Sequence, residues 1–243
     1  MSKNAIVTGS SRGIGAAVAR ALAENGYGVC INYIERQDKA EELVNELRAK
    51  GRRAVAVRAD VADAGEVNRM FGIAQSELGE IGVLVNNAGI SCHMQFQDTD
   101  AATWKRVMDV NLGGCYNCIQ AALPSMLHEH QGIIVNMASI WGLHGGSCES
   151  AYTASKHAVV GLTRALSAEL APSFIRVNAV APGVIKTDMM AQELDAEQLQ
   201  ELMLEMPMER FGRPEDVAQT VMYLVNSEYI TGEVIKIDGG FLI

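Results

Sequence analysis

A tyrosine and a lysine lie four residues apart in the stretch SAYTASKHAV, residues 150 to 159. The stretch is rich in helix-forming residues and has no proline, and in a helix Tyr152 and Lys156 lie one above the other on the same face. An ammonium group beside a phenol favours the phenolate and lowers the pKa of the phenol. The pair is therefore a candidate for moving a proton near neutral pH.

Two further polar residues are candidates for the same site. Ser139 closes the apolar run GIIVNMAS, and Tyr152 follows it closely, so both side chains can reach the same end of a sheet. Asn111 follows WKRVMDV within another predicted helix. These four residues form the candidate catalytic set.

The first apolar run of the chain ends in TGSSRGIG, with glycines at positions 9, 13 and 15. Glycine lets the backbone turn sharply and approach a ligand, and a helix that starts at about Gly13 directs unpaired N–H groups at an anion. A pyrophosphate fits such a turn. The spacing is GxxxGxG rather than the commoner GxGxxG. The evidence for a dinucleotide site therefore rests on the position of the glycine turn after the first strand of a doubly wound sheet.

The end of the second apolar run, INYIER, indicates which dinucleotide binds. Asn32 and Tyr33 occupy the place where an acidic residue would bind the ribose hydroxyls of NAD. A carboxylate would repel a 2′-phosphate, whereas the guanidinium of Arg12 in the glycine turn attracts one. NADP(H) is therefore preferred over NAD(H), although a register shift of two would bring Glu35 to the ribose.

The elements that position these residues alternate along the chain. Short runs rich in Val, Ile and Ala are typical of strands buried on both faces, and the segments between them have helical periodicity. The runs cover residues 4 to 8, 28 to 33, 54 to 60, 81 to 87, 132 to 139, 175 to 182 and 232 to 238. This pattern predicts an α/β fold of the Rossmann type: one doubly wound domain over residues 1 to 243, with a seven-stranded parallel sheet and helices on both faces.

One long segment, residues 184 to 212, falls outside the alternation. A long insertion in a compact fold is often a lid or a binding loop, so this segment is predicted to cover the substrate.

Composition excludes several classes of protein. The net charge is −9 and no run of Lys and Arg exceeds two residues, which excludes a nucleic-acid binder and a polybasic membrane anchor. No apolar run approaches the roughly 18 residues of a membrane helix, so a cytoplasmic protein is expected. The HEH sequence at 128 to 130 does not face one ligand, and no metal site is predicted. An odd, irregular set of cysteines predicts free thiols: Cys30, Cys92, Cys115, Cys118 and Cys148.

In order along nearly the whole chain, TGSSRGIG, NNAG, Asn111, Ser139, YTASK and PGVIKT resemble the motifs of the short-chain dehydrogenase/reductase family. The resemblance implies that Tyr152 exchanges a proton with a carbonyl or alcohol oxygen while hydride passes to or from the nicotinamide. Ser139 then hydrogen-bonds the substrate oxygen. Lys156 also binds the nicotinamide ribose, and Asn111 holds a water that connects Lys156 to solvent.

Other residues at the same rim complete the expected dinucleotide site. Asp60 is expected to accept a hydrogen bond from the adenine amino group, the small residues of NNAG to lie against the cofactor, and Thr187 to reach the carboxamide. The full set of predicted cofactor contacts is Gly9, Ser11, Arg12, Gly13, Ile14, Gly15, Asn32, Tyr33, Asp60, Val61, Asn87, Ala88, Gly89, Tyr152, Lys156, Pro182, Gly183, Ile185 and Thr187.

The segments RFGRPEDVA and YITGEVIKIDGG resemble most closely the 3-oxoacyl-ACP reductases of the family, which implies NADPH-dependent reduction in fatty-acid synthesis. An acyl-carrier protein is acidic and docks on basic residues, but residues 125 to 132 include Glu129, and residues 170 to 176 have no Lys or Arg before Arg176. A carrier partner is therefore doubtful. The alternative is a dehydrogenase of a free alcohol, steroid, sugar or polyol that uses NAD or NADP, and a distant alternative is a non-catalytic dinucleotide sensor.

Four residues flank the expected substrate cavity without a known recognition pattern: Cys92, His93, His144 and Cys148. The resemblance also implies a homotetramer. In it, the helices within residues 101 to 128 and 151 to 171 pair across one axis, and the C-terminal strand lies near another.

Overall fold

Every apolar run that the sequence indicates forms a strand. The computed structural model describes residues 2–186 and 201–242, and its strands are β1 (Asn4–Val7), β2 (Gly28–Tyr33), β3 (Ala54–Arg58), β4 (Val83–Asn86), β5 (Gly132–Met137), β6 (Ile175–Pro182) and β7 (Val234–Ile237). They form one parallel sheet in the order β3-β2-β1-β4-β5-β6-β7. The chain reverses direction across the sheet between β1 and β4, which confirms the predicted doubly wound fold.

The connections between strands are helical. The helices are α1 (Gly13–Glu24), α2 (Gln37–Ala49), α3 (Ala64–Leu78), α4 (Ala101–Met108), α5 (Gly114–His128), α6 (Ser150–Leu170) and α7 (Pro214–Asn226). A π-helical turn, Asp109–Gly113, joins α4 to α5. Short 3₁₀ turns cover Phe96–Asp98, Ile140–Gly142 and Ala171–Ser173.

The core lies on both faces of the sheet because successive strand residues point in opposite directions. Ala5 and Val7 of β1 pack with α1, α2 and α7, whereas Ile6 between them packs with α3, α5 and α6. The central strands are therefore buried on both faces. The expectation of full burial is wrong for β3 and β7, which are partly exposed because each lies at an edge of the sheet with one neighbour only.

The predicted lid segment is described in part, since residues 187–200 lie outside the described residues. Lys186 N donates to Gly212 O at 2.8 Å, and Gly212 N donates to Val184 O at 3.0 Å. The first and last residues of the segment therefore lie side by side.

Among the described residues, no helix is long and apolar enough to cross a membrane. Within the same ranges, no three His, Cys, Asp or Glu side chains are grouped as a metal site. All five cysteines are free, as predicted. Cys115 and Cys118 lie buried inside α5, and burial raises the pKa of Cys115 to about 11, so this CxxC packs the helix as inert thiols.

Candidate active site

Helix α6 positions the tyrosine–lysine pair. It begins at Ser150, so Tyr152 and Lys156 occupy its first two turns and point to the same side. The Lys156 Nζ atom lies 5.5 Å from the centroid of the Tyr152 ring. The structure thus brings together the two residues that the spacing selected.

Ser139 reaches the same place from β5. It follows the last residue of that strand, and its Oγ accepts a hydrogen bond from Trp141 N at 3.2 Å, which starts the 3₁₀ turn Ile140–Gly142. The Ser139 hydroxyl also hydrogen-bonds the Tyr152 phenol. Serine, phenol and ammonium therefore converge at the carboxyl edge of the sheet, where ligands bind in doubly wound folds.

Lys156 is buried, with 3% of its surface exposed. Its Nζ donates to the carbonyl oxygen of Met137 at 2.8 Å. Burial lowers its pKa to about 8, because the cation has lost its water shell and only part of the loss is replaced. Lys156 can therefore gain or lose a proton close to neutral pH.

The prediction that Lys156 lowers the pKa of Tyr152 is wrong for the cofactor-free protein. Burial raises the pKa of Tyr152 to about 12, the hydrogen bond from Ser139 opposes the rise, and the negative charge of Glu149 adds to it. The ammonium group has little effect because it lies beside the ring and points to the Met137 carbonyl. Tyr152 is consequently a protonated phenol at neutral pH, ready to donate.

Asn111 lies in the π-helical turn, fully buried. Its Oδ1 accepts from Ile90 N at 2.8 Å, and its Nδ2 donates to Ile90 O at 2.9 Å and to Ser155 Oγ at 3.0 Å. The side chain thus ties the loop after β4 to α6. The amide therefore has protein partners at both its oxygen and its nitrogen.

The glycine turn is built as the sequence indicates. Gly9 and Gly13 have φ of +59° and +58°, which favours glycine. A Cβ on Gly15 would lie 2.5 Å from Asn87 Nδ2 and 2.7 Å from Gly9 O, so the turn packs directly on the loop after β4. Helix α1 has no side-chain cap and no acidic residue in its first turn. Its N-terminal amides are thus suited to a pyrophosphate.

Asn32 has a different role from the predicted one. Its side chain is buried beneath the glycine turn, where Oδ1 accepts from Gly9 N at 2.9 Å and Nδ2 donates to Ala59 O at 2.9 Å. It therefore supports the turn and does not face a ribose. The turn needs such a partner because a buried N–H without one is costly.

Thr8 is a residue that sequence reasoning missed. Its Oγ1 accepts hydrogen bonds from Asn87 N and Ala88 N, both at 2.9 Å, and Asn87 Nδ2 donates back to Thr8 O at 2.9 Å. These bonds join the ends of β1 and β4, the two strands on either side of the reversal. The signal in the sequence was the hydroxyl residue that opens TGSSRGIG.

At the adenine side of the rim, Asp60 accepts from Ala62 N at 3.0 Å and forms an ion pair with Arg106 of α4 at 2.9 Å. Arg12 is exposed at the start of α1, and Tyr33 is half-buried at the end of β2. The side chain of Val61 is buried and lies against Gly114.

The remaining predicted contacts divide into surface and packing positions. Ser11, Gly89 and Gly183 are partly exposed along the rim, whereas Ile14 packs on the core, and Pro182 and Ile185 are buried. A Cβ on Gly89 would lie 3.2 Å from Asn111 Oδ1 and 3.3 Å from Lys156 Nζ, so glycine keeps this part of the groove open. Thr187 lies outside the described residues.

The residues beside the expected substrate cavity lie mostly on two loops that meet. Met94 N donates to Cys148 O at 2.7 Å, which brings residues 92–94 against residues 146–149. His93 Nδ1 lies 3.8 Å from Glu149 Oε1. His144 is exposed. The sequence had singled out His93 and Cys148 but not Glu149, the residue that approaches His93.

A dinucleotide-binding sheet with a serine, a phenol and an amine at its carboxyl edge defines the class of an NAD(P)-dependent oxidoreductase that acts on C=O or CH–OH groups. Residues 9–242 match the model of a family described as enoyl-(acyl carrier protein) reductase. The chain belongs to the short-chain dehydrogenase/reductase family. Its cofactor is accordingly a nicotinamide dinucleotide.

Relatives span its full length. The chain is 44% identical over 242 residues to the 3-oxoacyl-[acyl-carrier-protein] reductase FabG of Staphylococcus aureus strain Mu50, covering 99% of this chain and 98% of that one. It is 36% identical over 241 residues to a 3alpha-hydroxysteroid dehydrogenase of Mediterraneibacter gnavus, covering 98% and 96%. The crystal structure of gox2181 superposes with a TM-score of 0.93 at 34% identity, covering 99% of this chain and 95% of that one.

Proposed function

We propose that the protein reduces the carbonyl of a 3-oxoacyl thioester to an alcohol with NADPH, and that Tyr152 is the proton donor. The observation that carries this proposal is that Ser139 and Lys156 lie beside the Tyr152 phenol, and that burial keeps this phenol protonated. A protonated phenol suits reduction, which consumes a proton. Relatives named 3-oxoacyl-[acyl-carrier-protein] reductase support the substrate class.

The reaction balances with the groups that the site provides. The reduced nicotinamide, when bound, supplies a hydride to the carbonyl carbon. The Tyr152 O–H bond breaks as its proton passes to the carbonyl oxygen, which gives the alcohol and a tyrosinate. Ser139 donates a hydrogen bond to the same oxygen while negative charge develops there. A solvent proton then restores the phenol, and Lys156, whose lowered pKa lets it exchange a proton near neutral pH, is the group beside the ring that relays it.

Preference for NADPH follows from the charge around the glycine turn. A cavity of about 320 Å³ opens there, and its lining includes the cationic side chains of Arg12, Arg20, Lys39 and Lys186. Arg20 and Lys39 form ion pairs with glutamates. We therefore assign the 2′-phosphate to Arg12, whose guanidinium is exposed at the start of α1.

Docking of an acidic carrier has weak support. The one arginine at the end of the 170–176 segment, Arg176, donates to Leu224 O at 2.7 Å and to Val225 O at 3.0 Å, so its guanidinium binds the end of α7. Glu129 is exposed at the end of α5. These observations favour a second candidate function on a free alcohol, and the similarity to a hydroxysteroid dehydrogenase agrees with it.

We also propose a cytoplasmic homotetramer. Exposed apolar side chains on α4 and α5, Trp104, Tyr116 and Leu127, suit a helix-pairing interface, and the open edge of β7 suits another. The free cysteines agree with a reducing compartment. Light scattering of the purified protein gives the mass directly, and a monomer would refute the assembly.

A substrate panel tests the function. Oxidation of NADPH or NADH is followed by absorbance with a 3-oxoacyl-CoA, a 3-oxoacyl carrier protein, a 3-oxosteroid and a ketose. The proposal expects fastest turnover on a 3-oxoacyl thioester with NADPH, and at least a hundredfold loss in Tyr152→Phe with cofactor binding retained. Faster turnover of the steroid or ketose would move the assignment to the second candidate, and full activity of Tyr152→Phe would refute the mechanism.

A further inference from the structure

A buried serine connects two parts of the site that are distant in the chain. Ser155 lies on α6 between Tyr152 and Lys156, and none of its surface is exposed. Its Oγ accepts a hydrogen bond from Asn111 Nδ2 at 3.0 Å and donates one to the carbonyl oxygen of Tyr152 at 2.7 Å. Ser155 therefore binds the backbone of the proton donor directly.

The direction of each hydrogen bond follows from the groups involved. Asn111 binds both backbone groups of Ile90, with Oδ1 accepting from Ile90 N at 2.8 Å and Nδ2 donating to Ile90 O at 2.9 Å. A backbone N–H can only donate, so this pair of bonds identifies which end of the amide is the nitrogen. The amide nitrogen also only donates. Ser155 Oγ must therefore accept from it, and the single hydroxyl proton goes to Tyr152 O.

These bonds form a continuous chain through Ile90, Asn111, Ser155 and Tyr152. The chain runs from the loop after β4, through the π-helical turn, to α6. Asn111 and Ser155 are fully buried, so water does not replace a bond that is lost. Gly89, a predicted cofactor contact, precedes Ile90 in the same loop. The chain thus connects a wall of the predicted dinucleotide groove to the helical turn that carries the phenol.

The serine hydroxyl acts on the backbone between the two residues of the tyrosine–lysine pair. In an α-helix the carbonyl of Tyr152 is the partner of the Lys156 amide, and Ser155 supplies a second donor to this carbonyl. Serine hydroxyls that bind a carbonyl of the preceding turn bend a helix locally. The bond from Asn111 holds the serine oxygen from outside the helix, so the local geometry of α6 depends on a second element.

We propose that Ser155 is a positioning residue for proton transfer, and that its hydroxyl holds the start of α6 in the orientation that directs the Tyr152 phenol at the substrate oxygen. This role rests on the proposed function of Tyr152 as proton donor. Ser155 contacts the Tyr152 backbone and not the reacting atoms. Loss of the hydroxyl leaves every reacting group present but less well oriented, so it lowers the rate of the chemical step and not the affinity for the dinucleotide.

The experiment compares the wild type with Ser155→Ala, Ser155→Thr and Ser167→Ala. Ser167→Ala is the matched control, because Ser167 Oγ donates to Arg164 O at 2.8 Å and so makes the same kind of bond farther along the same helix. The measurements are kcat and KM with the best substrate of the panel, the dissociation constant of NADPH by fluorescence, and thermal unfolding.

A second readout needs no substrate. Isotope-labelled tyrosine gives an NMR signal for each ring Cζ carbon, and the signal that is lost in Tyr152→Phe belongs to Tyr152. Its position and width report the surroundings of the phenol in each serine variant.

The proposal expects kcat of Ser155→Ala to fall roughly tenfold, as for an imperfectly oriented proton donor. The dissociation constant of NADPH should stay close to that of the wild type, and the Tyr152 ring signal should shift or broaden. Ser155→Thr keeps a hydroxyl and should recover most of the lost kcat. Ser167→Ala should keep both kcat and the ring signal, even though it loses a bond of the same kind.

Wild-type kcat in Ser155→Ala, an equal loss of kcat in Ser167→Ala, or no recovery in Ser155→Thr would overturn the proposal. If the wild type turns over no carbonyl compound, the proposed function fails, and the ring signal still decides the role of Ser155: a signal that is unchanged in Ser155→Ala would reject it.

Discussion

Replacement of Lys156 by methionine should stabilise the cofactor-free protein while abolishing catalysis. Lys156 is 3% exposed, and its Nζ donates to a neutral carbonyl, Met137 O, at 2.8 Å. Methionine keeps an unbranched apolar stem of similar length in the same space. The substitution therefore removes a buried cation without leaving a large cavity.

The size of the effect follows from the pKa of Lys156. Burial lowers this pKa from its ordinary value of 10.5 to about 8. At about 1.4 kcal/mol for each pKa unit, keeping the amine charged at pH 7 costs about 3 kcal/mol of folding free energy. Loss of the hydrogen bond to Met137 O lowers the unfolding free energy of the variant by about 1 kcal/mol. A net gain of about 2 kcal/mol is expected.

The pH dependence identifies the cause. The cost of the buried charge is fully present below pH 8 and is relieved as pH rises toward 10.5, because in that window the unfolded chain binds more protons than the folded one. The unfolding free energy of the wild type should therefore rise relative to that of Lys156→Met as pH rises through this window. The stability difference should therefore change by about 3 kcal/mol, from about 2 kcal/mol in favour of Lys156→Met below pH 8 to about 1 kcal/mol in favour of the wild type above pH 10.5.

Urea unfolding of the cofactor-free proteins, followed by circular dichroism at one protein concentration, measures these differences. Lys105→Met is the matched control, since the Lys105 side chain is 73% exposed and pairs with Asp109 on the surface. Its unfolding free energy should change by less than about 0.5 kcal/mol. The reasoning would be refuted if Lys156→Met were less stable than the wild type at pH 7. It would also be refuted if the difference between their unfolding free energies did not change with pH.

Three further predictions concern the dinucleotide groove, and a fourth concerns helix α3. Gly15→Ala places a methyl group 2.5 Å from Asn87 Nδ2 and should abolish cofactor binding in a fluorescence titration. Gly72→Ala in α3, where nothing lies within 4 Å, should raise thermal stability by about 0.5–1 kcal/mol. Asn32→Ala leaves buried backbone partners beneath the turn unpaired and should lower the unfolding free energy by about 1–3 kcal/mol. Arg106→Ala releases the Asp60 carboxylate and should weaken binding of adenosine 2′,5′-bisphosphate severalfold but leave kcat unchanged; equal loss of kcat would contradict it.

The strands and the doubly wound order were predictable because burial on both faces of a parallel strand requires uninterrupted apolar residues. The 28 to 33 run and β2, Gly28–Tyr33, agree at both ends. Exposure at β7 was not predictable in the same way. A strand at the sheet edge has the composition of a buried strand, and the edge position depends on the order of all seven.

The roles of the two buried asparagines were not predictable from their motifs. Asn32 lies near the end of β2 and Asn111 lies in the turn after α4, so each stands where the sequence predicts a cofactor contact or a water ligand. Each instead binds backbone groups of a segment distant in the chain, Gly9 for one and Ile90 for the other. Backbone groups of loops need side-chain partners where the loops become buried against each other, and sequence spacing does not show which loops do so.

The direction of the Tyr152 pKa shift was not predicted, for a related physical reason. Spacing places Lys156 beside the phenol, but it specifies neither how far both groups are removed from water nor where the ammonium points. Burial acts on the two groups in opposite directions, raising the pKa of the phenol and lowering that of the amine. The tyrosine–lysine motif therefore identifies which groups exchange a proton, whereas the protonation of those groups at neutral pH depends on how deeply the fold buries them, which the spacing does not show.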